Sequence, residues 1–256
     1  MKMTFTKPLA KLIKKSALIS YFMLICVNNY AAFIDDQLVY KNVKQAYNEK
    51  LEKITSSLAL FNSKVSDFEL MLKAYKYEEL LSIYVRKKST DEWFLYHRFP
   101  FCTTCGTLGP KVQEWDGQIP EGYYYINDFN PYSSFLLSLG VSYPNSADKL
   151  KRPAPRKGGG IYIHGGCATI GCIPIENGPI QELYLLAVLA KSNGQTQIPI
   201  HIFPFEYSET KMSIASGQFP EHIDFWKNLY SIEMNFDSTK IQRPIAIDKF
   251  GDYYLK

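Results

Sequence analysis

One short stretch of the chain concentrates residues that could do chemistry. It reads GGGIYIHGGCATIGC over residues 158–172 and carries His164, Cys167 and Cys172 among glycines. A histidine close to a cysteine can act as general base for a thiol nucleophile. Thiols and imidazoles also bind zinc, and two cysteines can close a disulfide. The spacing alone leaves a metal site, a disulfide and a nucleophile with its base as open interpretations.

The nucleophile interpretation has support in the residues around the histidine. The apolar run IYIH predicts a short strand, so His164 would lie at a strand end. Gly165, Gly166 and Gly171 permit sharp turns that could bring the imidazole and the thiol together. Backbone N–H groups near Gly171 and Cys172 could then stabilise an oxyanion. The competing interpretation makes His164 a structural histidine and the cysteines small buried side chains, and spacing does not decide between them.

A second pair, Cys102 and Cys105, has the C-x-x-C spacing of thiol redox centres. Such centres place the first cysteine at a helix N-terminus, where the helix dipole lowers its pKa. Here the pair follows a predicted strand and precedes glycines and a proline, which favours a structural or incidental pair. A zinc site shared with Cys167 and Cys172 is disfavoured, because the two pairs lie 62 positions apart and thiolate zinc sites are uncommon in exported proteins. No metal ligands are therefore assigned.

The positive charge of the chain is concentrated near its N-terminus. The formal net charge is +4, but residues 1–32 carry five lysines and no acidic side chain. The remainder has 24 basic and 25 acidic side chains, a balance that excludes a nucleic-acid polycation. We therefore expect no nucleic-acid partner.

The first residues have the pattern of an export signal. A lysine-rich start precedes the apolar run ALISYFMLICV, which has the length of a signal-peptide core and is short for a membrane span. Residues 1–32 are predicted to be a signal peptide or an uncleaved anchor. Membrane contact is expected only through this segment, and only if it is not cleaved.

The rest of the chain divides into three segments by its apolar pattern. Residues 33–66 are assigned to an N-terminal amphipathic helix, because apolar residues recur at steps of three and four from residue 35 to about residue 62. Residues 67–207 contain short apolar runs between Gly and Pro turn signals, which predict successive strands. Residues 208–256 are predicted to be a helical or irregular extension. The fold class is therefore mainly β with peripheral helices, an α+β protein.

Two local predictions concern segments outside the strands. Residues 144–160 are polar and rich in proline, glycine and basic residues, which predicts an exposed loop. Residues 216–230 are predicted to form a terminal helix.

The motif around His164 resembles a known signature. His164-Gly165 followed by Thr169-Ile170-Gly171-Cys172 resembles the L,D-transpeptidase (YkuD-type) catalytic domain family, in which a strand-end histidine precedes a Ser/Thr-His-Gly-Cys turn. The surrounding sequence looks closest to the YafK-like branch of exported murein enzymes. The stretches that support this are Cys102-x5-Leu108-Gly-Pro-Lys111, Pro120-Glu-Gly-Tyr123, Leu137-Ser138…Tyr143-Pro-Asn145 and His201-Ile-Phe-Pro-Phe205.

The resemblance implies a role for each residue of the signature. Cys172 falls on the nucleophile and His164 on its general base. Gly165 falls where a backbone carbonyl holds the other ring nitrogen of the histidine. The positions implied in oxyanion and substrate binding are Thr169, Ile170 and Gly171.

Three features set this sequence apart within the resemblance. Ile170 replaces the histidine that precedes Gly-Cys in the commoner branch, and Pro174 stands where that branch has arginine. The YafK-like branch generally lacks both residues. Cys167 matches a position that is often cysteine in this branch, and it is less suited as nucleophile because it lies outside the Gly-Cys turn. A disulfide between Cys167 and Cys172 would inactivate the enzyme and could act as a redox brake.

The resemblance also implies a fold and a function. The fold is the YkuD-type β-sandwich or barrel-like domain, and the function is peptidoglycan modification by acyl transfer through a thioester on Cys172. An amine acceptor would give an L,D-transpeptidase, and water would give an L,D-carboxypeptidase or amidase. No cofactor is implied. The expected location is the periplasm or cell envelope, and the expected partners are peptidoglycan stem peptides and an envelope protein linked to murein.

Two alternatives come from other functional classes. The chain could be a non-catalytic murein-binding or scaffold protein whose cysteines are structural. It could also be a thiol-disulfide oxidoreductase that uses Cys102 and Cys105.

Overall fold

The computed structural model describes residues 33–152 and 158–256. The predicted signal segment, 1–32, lies outside the described residues. Residues 33–38 are helical. The helices are α1 Lys41–Ala59, α2 Ser146–Lys151, α3 Asn177–Ser192, α4 Glu209–Gln218 and α5 Ile223–Thr239. The strands are β1 Phe68–Tyr75, β2 Leu80–Lys87, β3 Phe94–Pro100, β4 Gly122–Asn130, β5 Ser138–Val141, β6 Tyr162–His164, β7 Ile173–Pro174, β8 Pro199–Phe203, β9 Ile245–Ile247 and β10 Tyr253–Leu255.

Eight of these strands form one sheet, in the order β3-β2-β1-β8-β4-β5-β6-β7. The pairs β1/β8 and β6/β7 are parallel, and the other neighbours are antiparallel. Strands β9 and β10 form a separate antiparallel hairpin. The expected fold class, mainly β with peripheral helices, is confirmed. Short apolar runs between turn residues suit strands of this length, which explains why the sequence located most of them.

The central strands are buried on both faces because helices cover both sides of the sheet. Leu70 and Leu72 of β1 belong to the main core together with α3, while Tyr75 lies in a second core that includes residues of α5. Successive side chains of a strand point to opposite faces, so one strand can supply both cores. Helix α1 packs on α3, and α5 packs on β10. A continuous apolar run such as FELMLKAY therefore reflects burial on two sides.

The predicted N-terminal helix differs from the structure in its extent. The chain is helical over 33–38, turns at residues 39 and 40, and enters α1 at Lys41. Tyr40 has an extended backbone, and its ring packs edge-on against Tyr132 with 4.9 Å between ring centroids. Val39, one of the apolar residues of the predicted helix, is 75% exposed. Residues 60–66 follow the end of α1 and are not helical. The tertiary contact of Tyr40 overrides the helical periodicity at this point.

The segment 144–160, predicted to be an exposed loop, begins with a short helix instead. Asn145 caps α2 by accepting a hydrogen bond from the backbone of Asp148, and the Asp148 side chain accepts one in return from Asn145 N. This reciprocal pair is a capping box, which satisfies donors at a helix start. The helix signal was present in the sequence but was outweighed by the Pro, Gly and basic composition around it.

The predicted helix over 216–230 is two helices. Helix α4 ends at Gln218, Pro220 begins a 3-10 turn, and α5 runs from Ile223 to Thr239. Proline lacks a backbone N–H and disfavours a helical residue before it, which explains the break. The C-terminal extension also contains the hairpin β9–β10, which was not predicted. Within the described ranges, no helix has both the length and the apolar content required to span a membrane.

Candidate active site

His164 is the last residue of β6, near one edge of the main sheet. Its strand pairs with β5 on one side and with β7 on the other. The carbonyl of His164 accepts a hydrogen bond from Ile175 N at 2.8 Å, and Gly165 N donates to Leu137 O at 3.4 Å. The backbone on both sides of the histidine is thus fixed by neighbouring segments. This rigid support can aim an imidazole at one position.

The imidazole of His164 has a defined tautomer. Its Nδ1 lies 2.6 Å from the Gly165 carbonyl oxygen. A carbonyl only accepts hydrogen bonds, so Nδ1 carries the proton and Nε2 keeps its lone pair. The Phe135 ring stacks on the imidazole at 4.4 Å between centroids. Burial lowers the pKa of His164, and the hydrogen bond to Gly165 raises it in part. The ring is neutral at neutral pH, which is the form a general base requires.

Gly165 is a position where only glycine fits. A Cβ built there would lie 2.6 Å from the Phe135 carbonyl oxygen and 2.7 Å from Asn177 Oδ1. Asn177 also accepts a hydrogen bond from Gly166 N at 3.0 Å. The first residue of α3 therefore packs against the segment that follows the histidine. A side chain at residue 165 would collide with these groups and shift the backbone of residue 165, including the carbonyl that contacts His164.

The turn that carries Cys172 is organised by the Thr169 hydroxyl. That oxygen accepts from Gly171 N at 3.1 Å and from Cys172 N at 2.8 Å, and it donates to the Cys172 carbonyl at 2.9 Å. Gly171 has φ +128° and lies against Gln118, where a side chain would clash with the Gln118 carbonyl oxygen. The N–H groups expected to bind an oxyanion are thus bonded to Thr169 here. An oxyanion would have to replace that hydroxyl as their acceptor.

The Cys172 thiol is half-buried and contacts the backbone of β6 and of the segment before it. Tyr162 N donates to Sγ at 3.4 Å, and Sγ donates to the Gly160 carbonyl at 3.6 Å. Burial raises the pKa of Cys172, and the Tyr162 N–H and the charge of Lys111 lower it in part. The resting thiol is therefore protonated at neutral pH. Such a thiol needs a base to become a nucleophile.

His164 and Cys172 line the same cavity. This cavity has a volume of about 340 Å³, and Tyr132, Phe135 and Tyr162 also contribute to its walls. The thiol and the imidazole do not hydrogen-bond to each other among the contacts of these described residues; such bonds often tighten only when substrate binds. The structure thus brings the two predicted catalytic residues to one cavity.

A second cavity lies beside Cys172 and has a volume of about 220 Å³. Ile170, Gly171, Trp115 and Lys111 contribute to its walls. Trp115 is 78% exposed and has φ +65°, a conformation that is uncommon for a large side chain. Cys172 therefore lies where two cavities meet, so a chain bound across the thiol could have a part in each.

The cysteine pairing differs from what the spacing suggested. Cys102 forms a disulfide with Cys167, with a Cα–Cα distance of 5.4 Å, and Cys105 and Cys172 are free. Cys102 and Cys105, considered as a structural or incidental pair, are therefore not bonded to each other, and the Cys167–Cys172 disulfide considered above is not formed. Cys102 N also donates to the Pro174 carbonyl at 3.0 Å. The segment after β3 thus lies beside the loop that joins β6 to β7, a proximity that local spacing does not reveal.

We expect this disulfide to contribute strongly to stability. It closes a sequence separation of 65 residues, for which chain-entropy models give about 4 kcal/mol. Replacing both Cys102 and Cys167 by alanine should lower the free energy of unfolding by about 2 to 4 kcal/mol, measured by urea denaturation. A reducing agent should lower the free energy of unfolding of the wild-type protein by a similar amount. Cys105→Ala is the matched control and should respond to reductant like the wild type. A wild-type midpoint that does not change on reduction would contradict the pairing.

Metal binding has no obvious location in the described part of the chain, which contains no group of three or more His, Cys, Asp and Glu side chains arranged to hold an ion.

Several residues of the site were not found by sequence reasoning. Phe135 and Trp115 lie in loops that are far from His164 along the chain, and no local sequence pattern connects them with it. No local pattern connects Asn177, at the start of α3, or Tyr162, on β6, with the chemistry of the site. These residues act through contacts that depend on the folded sheet, not on local spacing.

The chain is similar in sequence to known proteins. Residues 80–200 match the model of the L,D-transpeptidase catalytic domain, YkuD. The chain is 26% identical over 236 residues to YafK of Escherichia coli strain K12, a protein whose assignment as an L,D-transpeptidase is provisional. That match covers 91% of this chain and 87% of YafK.

Solved structures also resemble the chain. The helical cell shape determining protein Pgp2 from Campylobacter jejuni is 17% identical, with a TM-score of 0.43, and the match covers 71% of this chain and 73% of Pgp2. Bd1075 of Bdellovibrio bacteriovorus is 19% identical, with a TM-score of 0.39. That match covers 66% of this chain and 60% of Bd1075, so the chain spans less than two thirds of that protein.

Proposed function

We propose that this chain, whose residues 80–200 belong to the L,D-transpeptidase catalytic domain family, is an exported peptidoglycan enzyme that transfers an acyl group through a thioester on Cys172. The observation that carries the proposal is the shared cavity of Cys172 and His164. The contact of His164 Nδ1 with the Gly165 carbonyl supports the roles of these residues as base and orienting group. The N-terminal signal pattern supports export to the periplasm or envelope.

The first half of the reaction forms the thioester. A stem peptide binds with an amide carbonyl beside Cys172, and His164 Nε2 takes the thiol proton as Sγ attacks the carbonyl carbon. Negative charge develops on the carbonyl oxygen, where the N–H groups of Gly171 and Cys172 can stabilise it once Thr169 no longer occupies them. The imidazolium then gives its proton to the departing amine. The products are an acyl thioester on Cys172 and a free amine.

The second half of the reaction resolves the thioester. An amine from another stem peptide or from an envelope protein linked to murein gives a new amide, and water gives a carboxylate. In both cases the neutral His164 takes a proton from the acceptor and gives it to the departing Sγ, which leaves as the thiol. The two cavities beside Cys172 supply space for a donor and an acceptor. These steps require only side chains and backbone groups of the chain.

The acid limb of the pH profile follows from the state of His164. Burial lowers the pKa of this imidazole, and only the neutral ring can accept the thiol proton. We expect kcat/KM to fall on acidification with a midpoint below the ordinary histidine value of about 6.5. Measurements of the rate on a soluble stem peptide, from about pH 4 to about pH 9 so that they extend to both sides of the ordinary histidine pKa, would test this. A midpoint clearly above the ordinary histidine value of about 6.5 would mean that another group acts as base.

Two alternatives make different predictions. A thiol-disulfide oxidoreductase built on Cys102 and Cys105 is disfavoured because Cys102 pairs with Cys167 in this structure. A non-catalytic murein-binding protein would not form a covalent adduct with substrate.

Acid-quenched intact-mass spectrometry tests the proposal. Wild-type protein mixed with a disaccharide-tetrapeptide should gain the mass of the acyl group, and peptide mapping should place that mass on Cys172. The adduct should be absent from Cys172→Ser and present in Cys105→Ser, the control for the second free thiol. An adduct on Cys105, or turnover that Cys172→Ser retains, would overturn the assignment.

A further inference from the structure

A third cavity lies away from the catalytic residues, between the sheet and the hairpin β9–β10. We call it the hairpin cavity. Its volume is about 380 Å³. Strands β4 and β8 supply Tyr125 and His201, the segment that leads into β9 supplies Gln242 and Arg243, and β9 itself supplies Ile245. Neither Cys172 nor His164 contributes to its walls.

The lining of the hairpin cavity combines aromatic rings with polar side chains. Tyr125 is 42% exposed, so part of its ring is available to a ligand. Tyr123 is fixed behind it, because its hydroxyl donates to the Leu229 carbonyl at 2.7 Å. Gln242 and Arg243 add an amide and a guanidinium. Gln242 Nε2 donates to the Arg243 carbonyl and Arg243 donates to the Lys256 carbonyl, which leaves the Gln242 amide oxygen and the other guanidinium N–H groups for a ligand. Small-molecule sites typically pair apolar walls with a few such polar groups.

His201 adds an unusual group to this cavity. Its side chain is only 3% exposed, and within the described part of the chain its Nδ1 has no hydrogen-bond partner. That atom is closed off from solvent, so a ligand in the cavity would meet another part of the ring. Burial and the charge of Lys73 lower the pKa of His201. The ring can offer a ligand only its other nitrogen, and a hydroxyl group pairs with that nitrogen in either neutral tautomer, whereas a carboxylate requires a donor.

These features point to a ligand with hydroxyl and amide groups and an apolar ring face. From them we propose that the hairpin cavity binds the glycan strand of peptidoglycan, an inference that rests on the proposed function. A sugar ring can lie against Tyr125 while its hydroxyl and acetamido groups meet His201, Gln242 and Arg243. A peptide carboxylate would find only Arg243 as a positive partner in this cavity.

The position of the hairpin cavity also fits a substrate that reaches Cys172. Tyr125 at this cavity and Asn130 at the catalytic cavity lie on the same strand, β4. Five residues of strand span about 16 Å, slightly more than the about 14 Å that an extended peptide of four residues can span. Between them, Tyr162 donates to Asp128 on the neighbouring stretch of β4. The sugar that bears the reacting stem peptide would therefore lie over β4 between the two cavities, with neighbouring sugars of the same glycan strand in the hairpin cavity.

Titration of peptide-free glycan strands tests this proposal without any chemistry at the thiol. The protein is the full chain carrying Cys172→Ala, and the probe is glycan oligosaccharide from sacculi stripped of stem peptides by an amidase. Calorimetry should detect binding, and Tyr125→Ala should weaken it by about fivefold to tenfold, the range expected for loss of one aromatic contact. Gln242→Ala should weaken it as well, and it serves as a second variant if Tyr125→Ala does not fold.

The matched control is Tyr254→Ala. Tyr254 is 47% exposed on β10 of the same hairpin and does not line the hairpin cavity, so its loss should leave glycan affinity unchanged. No binding to the parent protein, or equal binding by the parent and both cavity variants, would overturn the proposal. Failure of the enzymatic function is a separate result, because it would show as an unmodified Cys172 in the mass experiment while glycan binding persisted.

Discussion

Cys172→Ala is expected to lower kcat on a soluble disaccharide-tetrapeptide by about 10⁴-fold or more, the scale seen when a covalent nucleophile is removed. The alanine has no atom that can form the thioester, so no residual acyl transfer through this position is possible. Because Cys172 is a partly exposed residue in a turn held by Thr169, the variant should unfold at a temperature close to that of the wild type. Product formation measured by chromatography, alongside thermal unfolding, checks both statements.

The control for that experiment is the other free cysteine. Cys105 is also partly buried, and its thiol donates to the Gly117 carbonyl at 2.9 Å. Cys105→Ala should keep the wild-type kcat because this thiol has no assigned role in the reaction. Equal losses in both variants would indicate that thiol removal acts through the fold and not through the chemistry. A Cys172→Ala protein with wild-type turnover would show that the nucleophile lies elsewhere.

His164→Ala is expected to lower kcat/KM by about 10²- to 10⁴-fold at neutral pH, the contribution typical of a positioned general base. Burial raises the pKa of Cys172, so without the base almost no thiolate forms near pH 7. The rate of the variant should rise with pH as the thiol ionises without assistance, whereas the wild type already has its base in the active form. Initial rates of both proteins across neutral and alkaline pH measure this difference.

A matched histidine separates catalysis from folding in that comparison. His97 lies exposed on β3 and packs against Phe99, away from the catalytic cavity. His97→Ala should keep the wild-type rate and pH profile. Wild-type rates in His164→Ala at neutral pH would refute its role as base. A loss that did not recover at alkaline pH would point to a structural role.

The sequence predicted the strands that carry the site better than the contacts that complete it. The prediction of successive strands over residues 67–207 holds for β1, β2, β3 and β4, because each is a short run bounded by turn residues. The run IYIH placed His164 at a strand end, and the structure has β6 ending there. These features depend on local patterning, which a single sequence records directly.

The features that the sequence did not predict depend on long-range packing. Cys102 pairs with Cys167 because the end of β3 lies beside the loop after β6, although the two segments are far apart in the chain. Phe135 reaches the His164 ring in the same way, from the loop between β4 and β5. The hairpin cavity forms only when the C-terminal segment folds back over β4 and β8. No local periodicity encodes such proximity.

The most direct test of the central claim uses the intact cell-wall polymer. Purified sacculi are incubated with the wild-type protein or with Cys172→Ala, digested with a muramidase and separated by chromatography with mass detection. We predict that the wild type changes the muropeptide profile at amides of the stem peptides, through new cross-links or through their removal, and that Cys172→Ala leaves the profile as it is in untreated sacculi. Identical profiles for wild type, Cys172→Ala and untreated sacculi would contradict the assignment of this chain as a peptidoglycan acyl-transfer enzyme.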